Sequence, residues 1–387
     1  MHILFEENGF PCKNGWQGGA GTYVKIIADE LIRNQHNVTI IMGEDPDVEE
    51  EYRIENGITI YPIKYRSRLL WYISRLPIIN TLYNSLEYLY AGFIKYQLIK
   101  KIHDKMPIDL IEYSDGGDFW QSVFTKIPYI CHLHGPGYTV KRHLVNSMKI
   151  KEKIRRALEC YFIANARLVV SPSKRMIQLV EDEYGRRFKK VKSIAYPLSE
   201  LKTPNERLSR NSNKLKFFMS GRPDLTKGWV VLLDAIKKVN ISHKKQVDFI
   251  LYGHEQIDPQ YRCPENVFIY PFSHRENVLK SIKTCDVAIV PSFFDNSPNS
   301  IYEAMAMKMP VIGSNVGGIP ELVIHNKTGL LFNNKSVLGL TRCILYFINN
   351  PDKVIELGNG AYDMIVAKSE LNINYRKRMY FWKKAFI

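Results

Sequence analysis

The sequence predicts an α/β protein with two doubly wound domains that face one another across a cleft, and three observations lead to this prediction. The chain has 387 residues, enough for two or three domains at about 150 residues each. Short apolar runs alternate with amphipathic stretches, which is typical of strands and covering helices in a mostly parallel sheet. Residues 197–214 are polar, proline-bearing and aperiodic, and the alternation restarts after them, so they indicate a boundary.

The composition narrows the class of protein and of partner. With 45% hydrophobic and 24% charged residues, the chain is neither disordered nor fibrous. The net charge of +15 favours anionic partners such as nucleic acid, anionic lipid or phosphorylated substrates. The six cysteines lack CxxC pairs and zinc-ligand spacing, so we expect reduced thiols and no metal site. Without a signal-peptide pattern or a run of 18 apolar residues, we expect a cytoplasmic protein.

The first domain is predicted over residues 1–200, because apolar runs of strand length recur there between amphipathic stretches. Residues 201–214 are predicted to be a linker. The expected strands are 2–5, 38–42, 58–61, 109–113, 128–133, 168–171 and 191–195. Helices are expected between them, for example at 22–34, 151–165 and 174–184.

The second domain is predicted over residues 215–370 on the same pattern. Its expected strands are 215–220, 247–252, 267–269, 286–290 and 311–313, and its expected helices are 228–239, 275–284, 300–307 and 319–323. Residues 371–387 are predicted to form a C-terminal helix, for which packing back on the first domain is one option. Ligands of doubly wound sheets bind at the carboxyl ends of the strands, so the candidate chemistry is expected there.

The richest group of candidate site residues follows the fourth strand of the second domain. Asp295 lies in a polar loop, and Glu303 lies eight residues later, one turn inside the next helix. The backbone around Pro298, Asn299 and Ser300 begins that helix, and N–H groups at a helix start can hold anionic or hydroxyl groups. Taken singly, Asp295 is better interpreted as an N-terminal helix cap and Glu303 as a solvated helix residue.

Two further turns of this domain are suited to phosphate. Gly317 and Gly318 precede a predicted helix, and glycines at a helix start let a diphosphate approach the backbone closely. Arg222 and Lys227 lie five residues apart where the first strand of the domain passes into a helix, so both can face one phosphate pair. The alternative for a lone arginine or lysine is an ordinary surface charge.

The first domain contributes a glycine loop and a pair of histidines. Gly18 and Gly19 follow the first strand and open the first helix, but their spacing is not GxGxxG, so the dinucleotide signal is weak. His132 and His134 end a strand, and strand alternation directs them to the same side. Two such histidines are usually structural or, less often, metal ligands, and no third ligand is suggested nearby.

In their order along the chain, these motifs resemble glycosyltransferase family 4, whose members are retaining enzymes of the GT-B fold with two Rossmann-like domains. Members carry a carboxylate, seven residues and a glutamate, followed by Ala-Met-Ala, Pro-Val-Ile and Gly-Gly-x-Pro-Glu. In this chain these are Asp295 to Glu303, then residues 304–306, 310–312 and 317–321. Asp295 replaces the commoner glutamate, and Lys308 stands where the family usually has a small residue.

The resemblance implies roles for the donor-binding residues. Glu303 would accept hydrogen bonds from the nucleotide ribose, and Asp295 with the amides that begin its helix would hold the donor sugar. Arg222 and Lys227 would bind the diphosphate and offset the charge that develops on the leaving nucleotide. The sugar nucleotide is then a co-substrate, and no cofactor is expected.

In the first domain, the resemblance implies that Gly18 and Gly19 cover the donor diphosphate and border the acceptor. His134 would lie near the sugar and the reacting centre, whereas His132 would pack inside the domain. The Asp45-Pro46-Asp47 sequence matches the manganese signature of the other main glycosyltransferase fold, but its acidic surroundings favour a solvated loop. No essential metal is therefore expected.

The function that the resemblance implies is that of a retaining, metal-independent hexosyltransferase that would use a UDP- or GDP-sugar. Its acceptor would be a hydroxyl of a saccharide or lipid-linked glycan in cell-surface polysaccharide or glycolipid synthesis, with the donor mostly in the second domain. Two alternatives remain open at this point: a sugar-nucleotide epimerase of the same fold, and a non-catalytic basic protein that binds membranes or nucleic acid.

A basic and aromatic segment covers residues 64–105, with eight Lys or Arg against two acidic residues. Such a segment could lie on an anionic leaflet, where each basic residue contributes about 1 kcal/mol. Peripheral membrane binding from the cytoplasmic side is one interpretation, and a helical pair with an exposed basic face is the other. No nucleic acid partner is expected, because no recognisable nucleic-acid module accompanies the segment.

Overall fold

A computed structural model describes residues 1–10, 18–43, 51–63, 77–115, 119–144, 150–198, 214–253, 264–271 and 275–386. The chain divides into two compact units: the first comprises Met1–Pro197 and Asn372–Ile387, and the second comprises Leu198–Leu371. Both units are built on parallel sheets, which confirms the predicted α/β class. Of the predicted linker, residues 201–213 lie outside the described residues.

The sheet of the first unit contains β1 (His2–Glu6), β2 (Asn37–Met42), β3 (Arg53–Glu55), β4 (Ile58–Pro62), β5 (Leu110–Ser114), β6 (Tyr129–His132), β7 (Leu168–Ser171) and β8 (Val191–Ser193). Among the described residues, the strand order is β3-β4-β2-β1-β5-β6-β7-β8, and only β3 is antiparallel to its neighbour. Every residue of β1 is buried, as expected for a central parallel strand covered on both faces.

The antiparallel β3 is absent from the predicted strands, although the sequence carries a signal for it. Asn56 and Gly57 connect β3 to β4 with φ angles of 50° and 81°. An Asn-Gly pair with positive φ at both positions favours a two-residue hairpin turn whose twist matches that of the strands. Edge strand β3 is therefore a consequence of this turn.

The helices of the first unit up to the boundary are α1 (Gly19–Arg33), α2 (Pro77–Lys105), α3 (Phe119–Phe124), α4 (Gly137–Leu144), α5 (Ile150–Asn165) and α6 (Lys174–Tyr184). The predicted bounds of α6 are confirmed, because Ser173 caps its first turn by accepting from the Met176 N–H at 3.1 Å and Gly185 ends it. In the part of the chain that the structure describes, no helix is both long and apolar enough to cross a membrane.

The second unit contains β9 (Leu215–Ser220), β10 (Val247–Tyr252), β11 (Val267–Tyr270), β12 (Val287–Val290), β13 (Val311–Ser314) and β14 (Gly329–Phe332). Over the described ranges the order is β11-β10-β9-β12-β13-β14, and all pairs are parallel. Its helices are α7 (Trp229–His243), α8 (Arg275–Ile282), α9 (Asn299–Ala306), α10 (Val337–Asn349) and α11 (Asp352–Ser369). The predicted helix at 319–323 is instead a single 3-10 turn, Ile319–Glu321.

The last helix, α12 (Leu371–Lys383), binds the segment that follows β8, which ends at Ser193, two residues before its predicted end. The carbonyl oxygen of Ala195 accepts hydrogen bonds from Asn374 Nδ2 at 2.6 Å and from an Arg378 guanidinium nitrogen at 3.2 Å. The Ile194 N–H still donates to the Ser171 carbonyl of β7 at 2.9 Å, and the Ala195 carbonyl is bound by α12.

Candidate functional site

Three loops of the second unit carry most of the predicted site residues, and they follow the neighbouring strands β9, β12 and β13. The carboxyl ends of parallel strands meet at one edge of a sheet, which is where doubly wound folds bind ligands. The loop after β9 carries Arg222 and Lys227; the loop and helix after β12 carry Asp295, Pro298, Asn299, Ser300 and Glu303; the loop after β13 carries Gly317 and Gly318.

The loop after β9 is held by its own hydrogen bonds. Asp224 caps the 3-10 turn Leu225–Lys227, and its Oδ1 accepts from the Thr226 N–H at 2.8 Å. The indole Nε1 of Trp229 donates to the carbonyl of Arg222 at 3.0 Å. The Arg222 guanidinium lies 3.6 Å from Asp224 and is about half exposed (47%), so it can still reach a ligand.

Lys227 and Asp295 form a close ion pair between the first and second loops. Lys227 Nζ lies 2.6 Å from Asp295 Oδ2, and the two side chains are only 24% and 14% exposed. The next residue, Gly228, has a φ of 70°, and a Cβ there would lie 2.0 Å from the Pro291 carbonyl oxygen. Only glycine lets the backbone at residue 228 come this close to the Pro291 carbonyl. This close contact keeps Lys227 beside the loop after β12.

The third loop supports the backbone of Asp295. The Gly318 N–H donates to the Asp295 carbonyl at 3.1 Å. Gly317 has a φ of 50°, and a Cβ there would lie 1.8 Å from the same carbonyl oxygen. The Gly-Gly turn therefore packs directly on Asp295, and its predicted contact with a donor diphosphate stays a prediction.

Gly317→Ala is expected to destabilise the protein more than Gly185→Ala. Gly185 also has a left-handed φ of 66°, but a Cβ there meets nothing within 4 Å. Gly185→Ala therefore carries only the backbone strain of about 1–2 kcal/mol, whereas Gly317→Ala adds a collision with the Asp295 carbonyl. Thermal unfolding midpoints check this prediction, and equal losses in the two variants would contradict it.

Glu303 lies on α9 and is largely buried, with 9% of its surface exposed. The helix begins after Pro298, whose carbonyl accepts from the Ile301 N–H at 3.0 Å. The N–H groups of Asn299 and Ser300 are in the first turn, where no intrahelical acceptor exists. The positive end of α9 and the largely buried Glu303 side chain therefore share one short segment.

In the first unit, His134 follows β6 in a buried aromatic cluster. Its Nδ1 lies 2.5 Å from the Tyr196 hydroxyl, and its ring stacks on His132 at 4.2 Å between centroids, as strand alternation predicts. Its buried Nε2 has no hydrogen-bond partner among the described residues. Burial, followed by the neighbouring His132, holds the pKa of His134 well below its ordinary value, so the imidazole is neutral.

A buried polar network behind His134 was not predicted. Glu112 Oε1 accepts from the Tyr23 hydroxyl at 2.5 Å and lies 2.8 Å from His132 Nδ1. Arg378 of α12 donates to the Tyr23 hydroxyl at 2.9 Å and stacks over that ring at 4.5 Å. Burial raises the pKa of Glu112, and the Arg378 charge opposes this shift. No sequence signal links residues that are 355 positions apart.

Asp115 fixes the turn that carries His134. Its φ is 56°, and its Oδ1 accepts from the backbone N–H groups of His134 and Gly135, each at 2.7 Å. Desolvation of this carboxyl raises its pKa to about 7. Asp115 is a positioning residue that sequence reasoning missed.

Asp115→Asn is expected to flatten the pH dependence of stability. An acid with a raised pKa in the folded state contributes its full stability below its unfolded pKa and loses it as the pH rises through the folded value of about 7. Asparagine keeps the acceptor oxygen but cannot ionise. The wild-type unfolding midpoint should therefore fall more than that of Asp115→Asn between about pH 5 and pH 8. Parallel pH profiles would contradict this.

The glycine loop begins α1. The helix begins at Gly19, and the Gly18 N–H donates to the Gly9 carbonyl at 3.1 Å, which ties the loop to the end of β1. Residues 11–17 lie outside the described residues. Gly18, Gly19 and His134 all belong to the first unit, whereas the predicted diphosphate ligands belong to the second.

The basic segment at 64–105 is described from residue 77, where α2 begins. Lys95 forms an ion pair with Glu6 and is 13% exposed, and Lys101 pairs with Glu51. These two charges are partly neutralised within the unit, which lowers the attraction to an anionic surface. Lys100 is exposed.

The prediction that no metal is essential depends in part on one acidic motif. Asp45-Pro46-Asp47 lies outside the described residues. Across the ranges that are described, no group of three or more His, Cys, Asp or Glu side chains is arranged to hold a metal ion.

Family models match both units of the chain. The model described as Glycosyltransferase Family 4 matches residues 17–195, and the model described as Glycosyl transferases group 1 matches residues 203–364. An uncharacterised glycosyltransferase of Methanocaldococcus jannaschii is 25% identical over 379 residues, covering 87% of this chain and 89% of that protein. TuaC of Bacillus subtilis, named for teichuronic acid biosynthesis, is 23% identical over 401 residues, covering 97% and 96%.

Solved structures share the fold over the whole chain. Sucrose-phosphate synthase from Thermosynechococcus elongatus superposes with a TM-score of 0.77 at 19% identity, covering 100% of this chain and 99% of that one. The Anabaena protein Alr3699/HepE, solved with UDP and glucose, gives a TM-score of 0.72 at 19% identity and covers 99% of both chains. These likenesses show a GT-B fold, which confirms the predicted fold.

Proposed function

Because this chain belongs to the glycosyltransferases of family 4, we propose that it is a retaining, metal-independent hexosyltransferase with a UDP- or GDP-sugar as donor. A sugar-nucleotide donor is supported by the family match across both units and by the UDP and glucose bound to the Anabaena protein. The proposed acceptor is a hydroxyl of a saccharide or lipid-linked glycan. The name of the Bacillus subtilis relative supports a role in cell-surface polysaccharide synthesis.

One observation carries this proposal: the Lys227–Asp295 pair lies on the Gly317-Gly318 turn, at the carboxyl edge of β9, β12 and β13. A cation and a carboxylate held together at low exposure are suited to a ligand that carries both phosphates and hydroxyls. Phosphates need the cation, and sugar hydroxyls need the acceptor oxygens.

Donor binding would exchange the partners of this pair. The diphosphate draws the Lys227 ammonium and the half-exposed Arg222 guanidinium, both of which form charge-assisted hydrogen bonds with phosphate oxygens. The Asp295 carboxylate is then released to accept from hydroxyls of the donor sugar. Glu303 accepts from the ribose hydroxyls, and the N–H groups of the first turn of α9 complete the sugar contacts.

The transfer step proposed is a front-face displacement. The bond from C1 of the sugar to the β-phosphate oxygen breaks, and the bond from C1 to the acceptor oxygen forms on the same face. The acceptor proton passes to the leaving phosphate, so no protein nucleophile is required. Lys227 and Arg222 stabilise the charge that develops on the leaving nucleotide.

The first unit would bind the acceptor and contribute His134. Its neutral ring is held by the bond between Nδ1 and the Tyr196 hydroxyl, and we propose that it lies near the donor sugar. Gly18 and Gly19 would border the acceptor. We also propose a cytoplasmic enzyme with peripheral membrane contact through residues 64–105, which would suit a lipid-linked acceptor.

Thermal unfolding with UDP, GDP, ADP, CMP and no ligand tests the donor site. A ligand at about 100 times its Kd adds roughly 2.7 kcal/mol to the folded state, which moves the midpoint by several degrees. We expect a shift with UDP or GDP alone, and its loss in Lys227→Ala. The exposed Lys283 supplies the control variant Lys283→Ala, which should respond like the wild type. A midpoint that no nucleotide changes would contradict the proposal.

A further inference from the structure

A cavity of about 490 Å³ lies in the first unit, beside β8 and the end of α12. Its wall includes five cationic residues: Arg167, Lys189, Lys190, Lys192 and Lys384. Val191 and Phe381 supply apolar surface between them. None of these residues belongs to the donor or acceptor machinery proposed above.

The backbone holds the first of these cations in a fixed arrangement. The Lys190 carbonyl accepts from the Val169 N–H at 2.9 Å, which ties the start of β8 to β7. The Arg167 N–H donates to the Tyr129 carbonyl at 2.9 Å, immediately before β7 begins. Arg167 and Lys190 therefore lie on hydrogen-bonded backbone immediately before β7 and β8, and Lys192 lies within β8.

Aromatic rings, rather than carboxylates, neighbour the remaining cations. Lys192 Nζ lies 5.0 Å from the centroid of Phe381, and Lys384 Nζ lies 4.5 Å from that of Tyr380. Within the part of the chain that the structure describes, none of the five cations forms an ion pair. A hydrogen bond from Lys384 to the Tyr380 hydroxyl, together with the Lys384 charge, lowers the pKa of that hydroxyl, and the Lys192 charge adds to the shift.

The five cations are exposed and line one concavity, so their summed positive charge favours an anion there. We propose that this cavity binds a phosphate group carried on a compact body, either a soluble phosphorylated molecule or the headgroup of an anionic phospholipid. Phosphate oxygens can accept from several of these cations at once, and the Phe381 and Val191 surfaces pack against the body. The cavity volume lies within the range of about 300–1,000 Å³ that is usual for small-molecule sites.

Two double variants of equal charge test this site. Lys190→Ala/Lys192→Ala removes two cavity cations, and Lys238→Ala/Lys245→Ala removes two exposed lysines outside it. Both double variants are made in the full chain that carries Lys227→Ala, which is the parent protein of this experiment. In this parent the proposed diphosphate site contributes little to the binding of phosphate. One arm titrates inorganic pyrophosphate by calorimetry. The other measures cosedimentation with phosphatidylcholine vesicles, with and without phosphatidylglycerol. Circular dichroism verifies that each variant is folded.

The parent is expected to bind at least one probe, the cavity variant to bind it about tenfold more weakly or worse, and the control variant to match the parent. Pyrophosphate binding identifies a soluble ligand, whereas binding only to vesicles with phosphatidylglycerol identifies the lipid headgroup. Equal weakening of binding in both variants would overturn the proposal. The lysines near β8 would then serve only to protect this edge strand from pairing with another strand. Failure of the parent to bind either probe would also overturn it.

Discussion

Lys227→Ala is expected to lower kcat/KM for sugar transfer by about 100- to 1,000-fold, the loss usual when one preorganised stabiliser of transition-state charge is removed. The lysine is held 2.6 Å from Asp295, so it is already oriented before the donor arrives. Initial rates of nucleotide release, measured over a range of donor concentrations, check this prediction. The loss should appear in kcat as well as in KM, because the charge on the leaving nucleotide develops in the transition state.

Matched variants separate this role from a general loss of charge or fold. Lys283→Ala removes an exposed lysine of the same unit and should keep the wild-type rate. Glu303→Ala should lose most transfer while folding normally. Lys227→Ala leaves the Asp295 carboxylate without its cation, and this unpaired charge can itself destabilise the protein. The double variant Lys227→Ala/Asp295→Asn removes that charge, so it tests whether unfolding explains the loss of activity. Wild-type rates in both Lys227→Ala and Glu303→Ala would contradict the assigned site.

Arg378→Ala is expected to lower the free energy of unfolding by about 3–5 kcal/mol, the usual cost of removing one member of a buried charged network. The guanidinium is 1% exposed and donates to the Tyr23 hydroxyl, to Asn374 and to the Ala195 carbonyl. Its removal takes away the Arg378 donor from Asn374 Oδ1, leaves the Ala195 carbonyl with Asn374 as its donor, and opens a cavity against the Tyr23 ring. Urea unfolding followed by circular dichroism measures the loss.

Two comparisons isolate the buried contacts. Arg376→Ala removes an exposed arginine from the same helix, so its free energy of unfolding should stay within about 0.5 kcal/mol of the wild type. Arg378→Met retains most of the packing volume and loses the hydrogen bonds. If Arg378→Ala is no worse than Arg376→Ala, α12 is not anchored through this network.

The sequence predicts those features that depend on local order. Apolar runs such as Phe217 to Met219 and Val287 to Val290 become buried parallel strands, because both faces of these sheets are covered. The candidate site residues near the ends of β9, β12 and β13 could be predicted as well, because doubly wound sheets bind ligands at the carboxyl ends of their strands. The spacing of Asp295 and Glu303 identifies one loop and one helix turn, since both lie within nine consecutive residues.

Contacts between distant segments could not be predicted. Nothing local pairs Lys227 with Asp295, which are 68 positions apart, or distinguishes the buried Arg378 from the exposed Arg376. The close contact between Gly317 and the Asp295 carbonyl is also a tertiary property, because it depends on where the loop after β12 lies. The β3–β4 hairpin differs from these cases, since its Asn-Gly turn is a local signal.

The most direct test of the proposed reaction is proton NMR of purified protein with a UDP- or GDP-sugar, selected by the nucleotide shifts, and a set of saccharide acceptors. The expected result is accumulation of free UDP or GDP together with a product whose anomeric proton shows the same configuration as the donor sugar. A product of inverted configuration, or a sugar nucleotide that is epimerised without release of its nucleotide, would contradict the account.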